Sequence, residues 1–110
     1  MKPTTYEGFR FNNHPTVIKQ IPNRSRVLLS PYNNVRNHGA QTFDWGSNGS
    51  GASQLAFAIL YDITKDEELS LQLYKQFKQK VVLALPDNWK LTSSKIKAEL
   101  RKIWKDIYGR

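Results

Sequence analysis

The chain has 110 residues, no cysteine, two histidines, and seventeen Lys and Arg against nine Asp and Glu, a net charge of +8. That length suits one domain with one core; the missing cysteines exclude disulfides and thiolate metal sites, and His14 and His38 have no carboxylate cluster to complete a metal site. No apolar run reaches the roughly 18 residues of a membrane span, and the start, MKPTTYEGF, lacks the apolar core of a signal peptide, so the expectation is a cytoplasmic protein with no metal, no cofactor and no membrane segment.

In chain order, Tyr6-Glu7-Gly8-Phe9-Arg10-Phe11 alternates loosely and is rich in aromatics. Asn12-Asn13-His14-Pro15 is a turn cluster, and Thr16-Val17-Ile18-Lys19-Gln20-Ile21 reads as a second strand, giving an antiparallel hairpin. Pro22, Pro31, Asn33, Asn34, Asn37 and Gly39 break the next stretch into an irregular connection, with Val27-Leu28-Leu29 tucked onto the core as a short extended piece. Thr42-Phe43-Asp44-Trp45 is a third strand candidate. It leads into Gly46, Ser47, Asn48, Gly49, Ser50 and Gly51, a glycine-rich turn.

From Gln54 to Ile63 the sequence is apolar almost all round, with Ala and Leu outnumbering β-branched residues, which predicts a central buried helix. Ser50 or Ser53 would cap it. Thr64 and Glu67 match a capping box and open a helix over 65–85, stopped by Pro86. Thr92 or Ser93 caps a third helix that ends near Gly109. Its apolar face is Ile96, Leu100, Ile103, Trp104 and Ile107, with Trp104 at the edge. The expected architecture is therefore α+β. A small N-terminal antiparallel hairpin or sheet of two to three short strands packs on about three C-terminal helices, in a single domain over 1–110. Its parts are a β and loop part (1–45), the glycine-rich loop (46–52) and a helical part (52–108).

Two places could bind a ligand. Glycine-rich loops feeding a helix N-terminus can cradle anions through converging N–H groups, which makes Trp45, Gly46, Ser47, Asn48, Gly49, Ser50 and Gly51 candidates. The loop lacks the lysine of a phosphate-binding loop and the spacing of a dinucleotide fingerprint, so its glycines also read as a plain tight turn. The second place is electrostatic. Residues 1–40 carry six Lys and Arg against Glu7 alone, and residues 87–110 carry seven against three acids. Lys97, Arg101 and Lys105 fall on one stripe of the last helix with Lys102 beside them, because i, i+4 and i+8 align at 3.6 residues per turn. Such a stripe suits a phosphate backbone and also suits a solvated surface. His38, Asp44 and Ser47 or Ser50 offer a base, an orienter and a nucleophile, but nothing in their spacing demands a catalytic arrangement, and no catalytic residue is assigned.

Phe43-Asp44-Trp45-Gly46, Gly49-Ser50-Gly51, Gln54-Leu55-Ala56, Ala58-Ile59-Leu60, Tyr74, Phe77-Lys78, Val81-Val82, Leu85-Pro86, Trp89 and Leu91-Thr92 together resemble the domain-of-unknown-function family numbered 6166, found in phages, plasmids and bacterial genomes. Tyr6-x-Gly8-x-Arg10 and Asn37-His38 are also similar to it. The sequence departs from the pattern at Ser47, Asn48 and Ala52. The resemblance implies a small α+β domain of mobile-element type and no catalytic residues. Two functional readings remain. One is a basic, non-enzymatic binding protein for a phosphate-bearing ligand, nucleic acid or nucleotide. The other is a protein that docks on a host factor, such as an anti-defence inhibitor or modulator.

Overall fold

The computed structural model describes residues 2–109. The elements run β1 (Thr5–Phe11), β2 (His14–Gln20), β3 (Arg26–Leu28), α1 (Ser50–Thr64), α2 (Glu67–Lys80), a 3-10 turn (Val82–Ala84), β4 (Trp89–Thr92) and α3 (Ser93–Tyr108). The class is α+β. The sheet has four antiparallel strands in the order β3-β2-β1-β4.

The hairpin turns on Asn12 and Asn13, both at positive φ (49° and 66°). Two left-handed residues give the turn whose twist matches the strands, and Asn tolerates that conformation. The register pairs Phe11 with His14 and Tyr6 with Lys19. Period-2 alternation then sends Tyr6, Gly8 and Val17 inward, where all three are buried. β3 is a three-residue edge strand, so Val27 and Leu28 stay exposed, Leu28 at 70%, and only Leu29 enters the core. β4 pairs with β1 from Thr5 opposite Thr92 to Gly8 opposite Trp89. Four residues split by a lysine carry little strand signal, and the strand exists because β1 offers a free edge. The Thr42–Trp45 segment, expected as a strand, pairs with no other strand. Its side chains hold it instead: the Asp44 carboxylate accepts from the Trp45 N–H (2.8 Å) and from Arg10 (3.2 Å).

The buried helix is α1. Ala52 and every residue from Leu55 to Leu60 are shut from solvent. Its N-cap is Gly49, with no side-chain cap, rather than Ser50 or Ser53. Thr64 is its last residue, and Lys65 closes it in the left-handed region (φ 55°). α2 therefore starts later than the sequence suggests. Its N-cap is Asp66, which accepts from the Leu69 N–H (3.0 Å). It also ends earlier, at Lys80. The backbone leaves the helical region at Val81, and the Val82 carbonyl accepts from Gly46 N–H (3.2 Å) and Leu85 N–H (3.3 Å), which makes the 3-10 turn. α3 agrees with expectation at both ends. Thr92 accepts from the Lys95 N–H (3.1 Å), and Gly109 takes the left-handed cap (φ 68°). Ile107, expected on the apolar face, is exposed; the core arc of α3 ends at Ile103. No helix of the described residues is long and apolar enough to cross a membrane.

α1 carries two buried polar side chains. Gln54 donates to the carbonyls of Pro31 (2.6 Å) and Arg36 (3.0 Å) and accepts from the His38 N–H (2.8 Å), fixing the irregular connection. Asp62 accepts from the hydroxyls of Tyr6 (2.6 Å) and Tyr32 (2.5 Å) and pairs with the Lys19 ammonium (2.8 Å). Burial pushes the Asp62 carboxyl up, but the bonds from Lys19, Tyr32 and Tyr6 more than offset it and hold it below its ordinary value. Burial, followed by the bond to Asp62, pushes both tyrosine hydroxyls upward, so each keeps its proton to donate.

Two outcomes are expected. Phe57, wholly buried in α1, should cost about 3–5 kcal/mol on truncation to Ala; an unchanged melting temperature would mean that α1 is not central. For Asp62 the folded-state pKa is depressed, so its contribution is present above the unfolded value of 3.8 and is lost as pH falls through the folded one. Asp62→Asn should therefore cost about 3 kcal/mol near neutral pH. Its stability should also fall less steeply than the parent's as pH drops below about 5, measured by urea unfolding at several pH values.

Candidate functional site

Around the glycine-rich loop, two glycines answer to backbone and packing. Gly46 has φ +79°, a conformation side chains resist. A Cβ on Gly51 would stand 2.8 Å from Asp44 Cβ and 3.0 Å from the Thr42 carbonyl oxygen, so α1 can lie against the 42–44 segment only if residue 51 is glycine. Gly49 differs: its backbone is extended and a Cβ there meets nothing. Trp45 is buried, and its ring meets Trp89 edge-on at 5.6 Å. Arg10 lies over the Trp45 ring at 4.6 Å and donates to Asp44, to the Trp45 carbonyl (3.3 Å) and to Asp87 (3.3 Å). Trp89 in turn lies on Gly8, where a Cβ would overlap the indole. Ser47, Asn48, Gly49 and Ser50 are exposed before the first turn of α1, which holds no acidic residue. The charged groups placed against this loop are the Asp44 carboxylate and the Arg10 guanidinium paired with it, while Lys78 of α2 donates to Ser53 in the first turn of α1 (3.1 Å).

The candidate catalytic trio is not joined. The His38 Nδ1 lies 3.2 Å from Gln54 Oε1, its ring packs between Phe57 and Tyr74, and Asp44 is committed to Arg10. Burial first, and the charges of Arg36 and Lys78 after it, push the His38 pKa down, so the neutral ring is favoured near pH 7. Among the described residues no group of His, Cys, Asp and Glu is placed to hold a metal ion.

The outer face of α3 is different in kind. Lys97, Arg101, Lys102 and Lys105 are all exposed. Among the described residues no carboxylate pairs with Lys97, Arg101 or Lys105, whereas Lys102 lies 3.6 Å from Glu99. Asp106, the acid nearest in sequence to Lys105, is taken by Lys80 of α2 (2.6 Å). Two aromatic rings share this face. Trp104 and Tyr108 are 46% and 47% exposed, with ring centroids 4.2 Å apart, and the Tyr108 hydroxyl donates to Gln72 of α2 (3.1 Å). At about 100° per residue, Tyr108 projects between Lys97 and Arg101, and Trp104 on the far side of Lys97 from Lys105. Beside them a groove of about 250 Å³ is walled by Leu69, Leu73, Leu100 and Trp104, with Arg101 at its rim. The sequence pattern shows the cations and sets Trp104 at an edge, but it does not reveal the pair of rings. The signal for the pair is the row Leu100, Trp104, Tyr108, spaced i, i+4, i+8, which starts buried and ends in solvent.

The chain belongs to the family of unknown function DUF6166, whose model matches residues 6–102. No curated protein and no solved structure matches it. The family match ends within α3, short of Trp104, Lys105 and Tyr108.

The glycines of the loop should separate on substitution. Gly51→Ala should destabilise the chain by about 1–3 kcal/mol through overpacking, while Gly49→Ala should stay within about 0.5 kcal/mol of the parent. Equal losses at both positions, read by chemical denaturation, would contradict this account of the loop.

Proposed function

We propose that this member of the family is a small basic binding protein, without catalytic machinery, that engages nucleic acid through the outer face of α3. The observation that carries the reading is the stripe of Lys97, Arg101 and Lys105, solvent-exposed and, among the described residues, without a salt-bridge partner, on a helix whose other side is core. The core does not need these three cations. Helix propensity does not need them either, since Glu or Gln would serve nearly as well. Three like charges along one stripe repel each other mildly, and a polyanion reverses that cost. The net charge of +8 adds long-range attraction for the same kind of partner. A nucleotide held by the glycine-rich loop is the less favoured form of this reading, because Gly46 and Gly51 have structural duties and the nearby Arg10 is already held by Asp44 and Asp87.

A second reading has its own observation. Trp104, Ile107 and Tyr108 are exposed large side chains on one helix end, and aromatic anchors beside an arginine are also what protein interfaces use. A host-protein target, as for an anti-defence factor, would occupy the same face.

Salt dependence separates the two. Each phosphate contact contributes about 0.7–0.9 to the slope of log affinity against log salt. The variant Lys97→Gln/Arg101→Gln/Lys105→Gln should therefore bind more weakly and lose about two to three from that slope, measured by mobility shift or anisotropy over a salt series with DNA and RNA. A parent protein that binds neither at low salt removes the nucleic-acid reading and leaves the protein-partner one.

A further inference from the structure

We infer that the strand this face accepts is single-stranded, with an unpaired base lying against Trp104 in the groove while Lys97, Arg101 and Lys105 follow its phosphates. The inference rests on the nucleic-acid reading and narrows it. A duplex needs only cations from a surface, because its base faces are hidden in its own stack. Here the cationic stripe has one half-exposed ring, Tyr108, between its members and another, Trp104, along its edge beside an apolar groove, a combination that a duplex backbone leaves unfilled and an unstacked base fills. The leucine walls, Leu69, Leu73 and Leu100, carry no hydrogen-bonding side chain, which leaves only the Trp104 N–H and the Arg101 guanidinium to meet a base edge. The expected recognition is therefore by stacking and charge, tolerant of sequence. Arg101 stands at the junction, on the groove rim and on the cationic stripe at once, and can meet a phosphate while its neighbour Trp104 meets the base. Lys97 to Lys105 spans about 12 Å of helix, enough to track a short stretch of backbone. No acidic side chain shares the stripe, so an incoming strand displaces no ion pair there.

The three tryptophans make the test direct. Trp45 and Trp89 are 1% and 6% exposed, so Trp104 is the indole that a base can reach. The probe is a thymidine oligonucleotide of roughly ten residues, compared with a G·C-rich hairpin duplex that stays paired at low salt, each titrated into the full chain. The expected results are quenching of tryptophan emission by the single strand, and single-strand affinity at least about tenfold above that of the duplex. Trp104→Phe should abolish the quenching and keep most of the affinity. Trp104→Ala should weaken single-strand binding about tenfold or more while circular dichroism stays that of the parent. Equal affinity for the two forms without quenching would overturn the inference and leave the nucleic-acid reading standing. So would a parent that self-associates through Trp104 and binds strands only after Trp104→Ala. Binding of neither form would overturn the nucleic-acid reading itself. The parent's quenching is read without any variant, so a misfolded variant does not blunt the test.

Discussion

The carboxylate of Asp62 is the point on which the architecture turns. It lies on the buried helix α1, where an ionised group without partners would be costly. Besides Lys65 just past α1 (3.6 Å), its partners come from three separate parts of the chain: Tyr6 on β1, Lys19 on β2 and Tyr32 in the irregular connection. Satisfying that one charge thus sets the sheet's position on α1 and draws in the loop. Gln54, at the other end of α1, holds the same loop by Pro31, Arg36 and His38. Apolar packing shuts α1 into the core, and the two buried polar anchors add directional bonds, Asp62 to the sheet and the loop and Gln54 to the loop.

This arrangement explains why the residues that carry the family resemblance say more about building than about binding. Tyr6 bonds Asp62, Gly8 lies beneath Trp89, and Arg10 clamps Asp44 onto Trp45. Gly46 turns the backbone and Gly51 admits it. The His38 N–H donates to the Gln54 oxygen. Each has a partner inside the fold, and few are left to face a ligand. Among the described residues, Lys97, Arg101 and Lys105 of α3 face outward without a carboxylate partner, and Lys105 lies beyond the matched residues.

The sequence made α1 and α3 readable because their signals are local: an all-round apolar run, a cap at Thr92 and a terminal glycine. It made the hairpin readable through Asn12 and Asn13. It hid β4, whose four residues are a strand only because β1 has an open edge. It also hid Asp62, since one acid near the end of an apolar run resembles a helix-end residue until its partners, distant in sequence, are seen. At the candidate site the cations were legible by spacing alone. The exposed pair of Trp104 and Tyr108 was not, because exposure of a ring depends on where α2 stops covering α3.

The strand order β3-β2-β1-β4 also has a consequence in time. β1 and β2 leave the ribosome before β4, the partner for the second edge of β1, which is made on the order of ten seconds later at about 5–20 residues per second. Through that interval β1 presents unpaired N–H and C=O groups, the kind of edge that templates association with other chains. The emerging hairpin carries Glu7 and Arg10 on that strand, charges that discourage such pairing. α3 follows β4 without a linker and is anchored by it, with the Ser93 N–H bonded to the Thr4 carbonyl (2.7 Å). The basic face therefore acquires its fixed orientation only when β4 joins the sheet, and a nascent chain holds its cations on an unmoored helix until then.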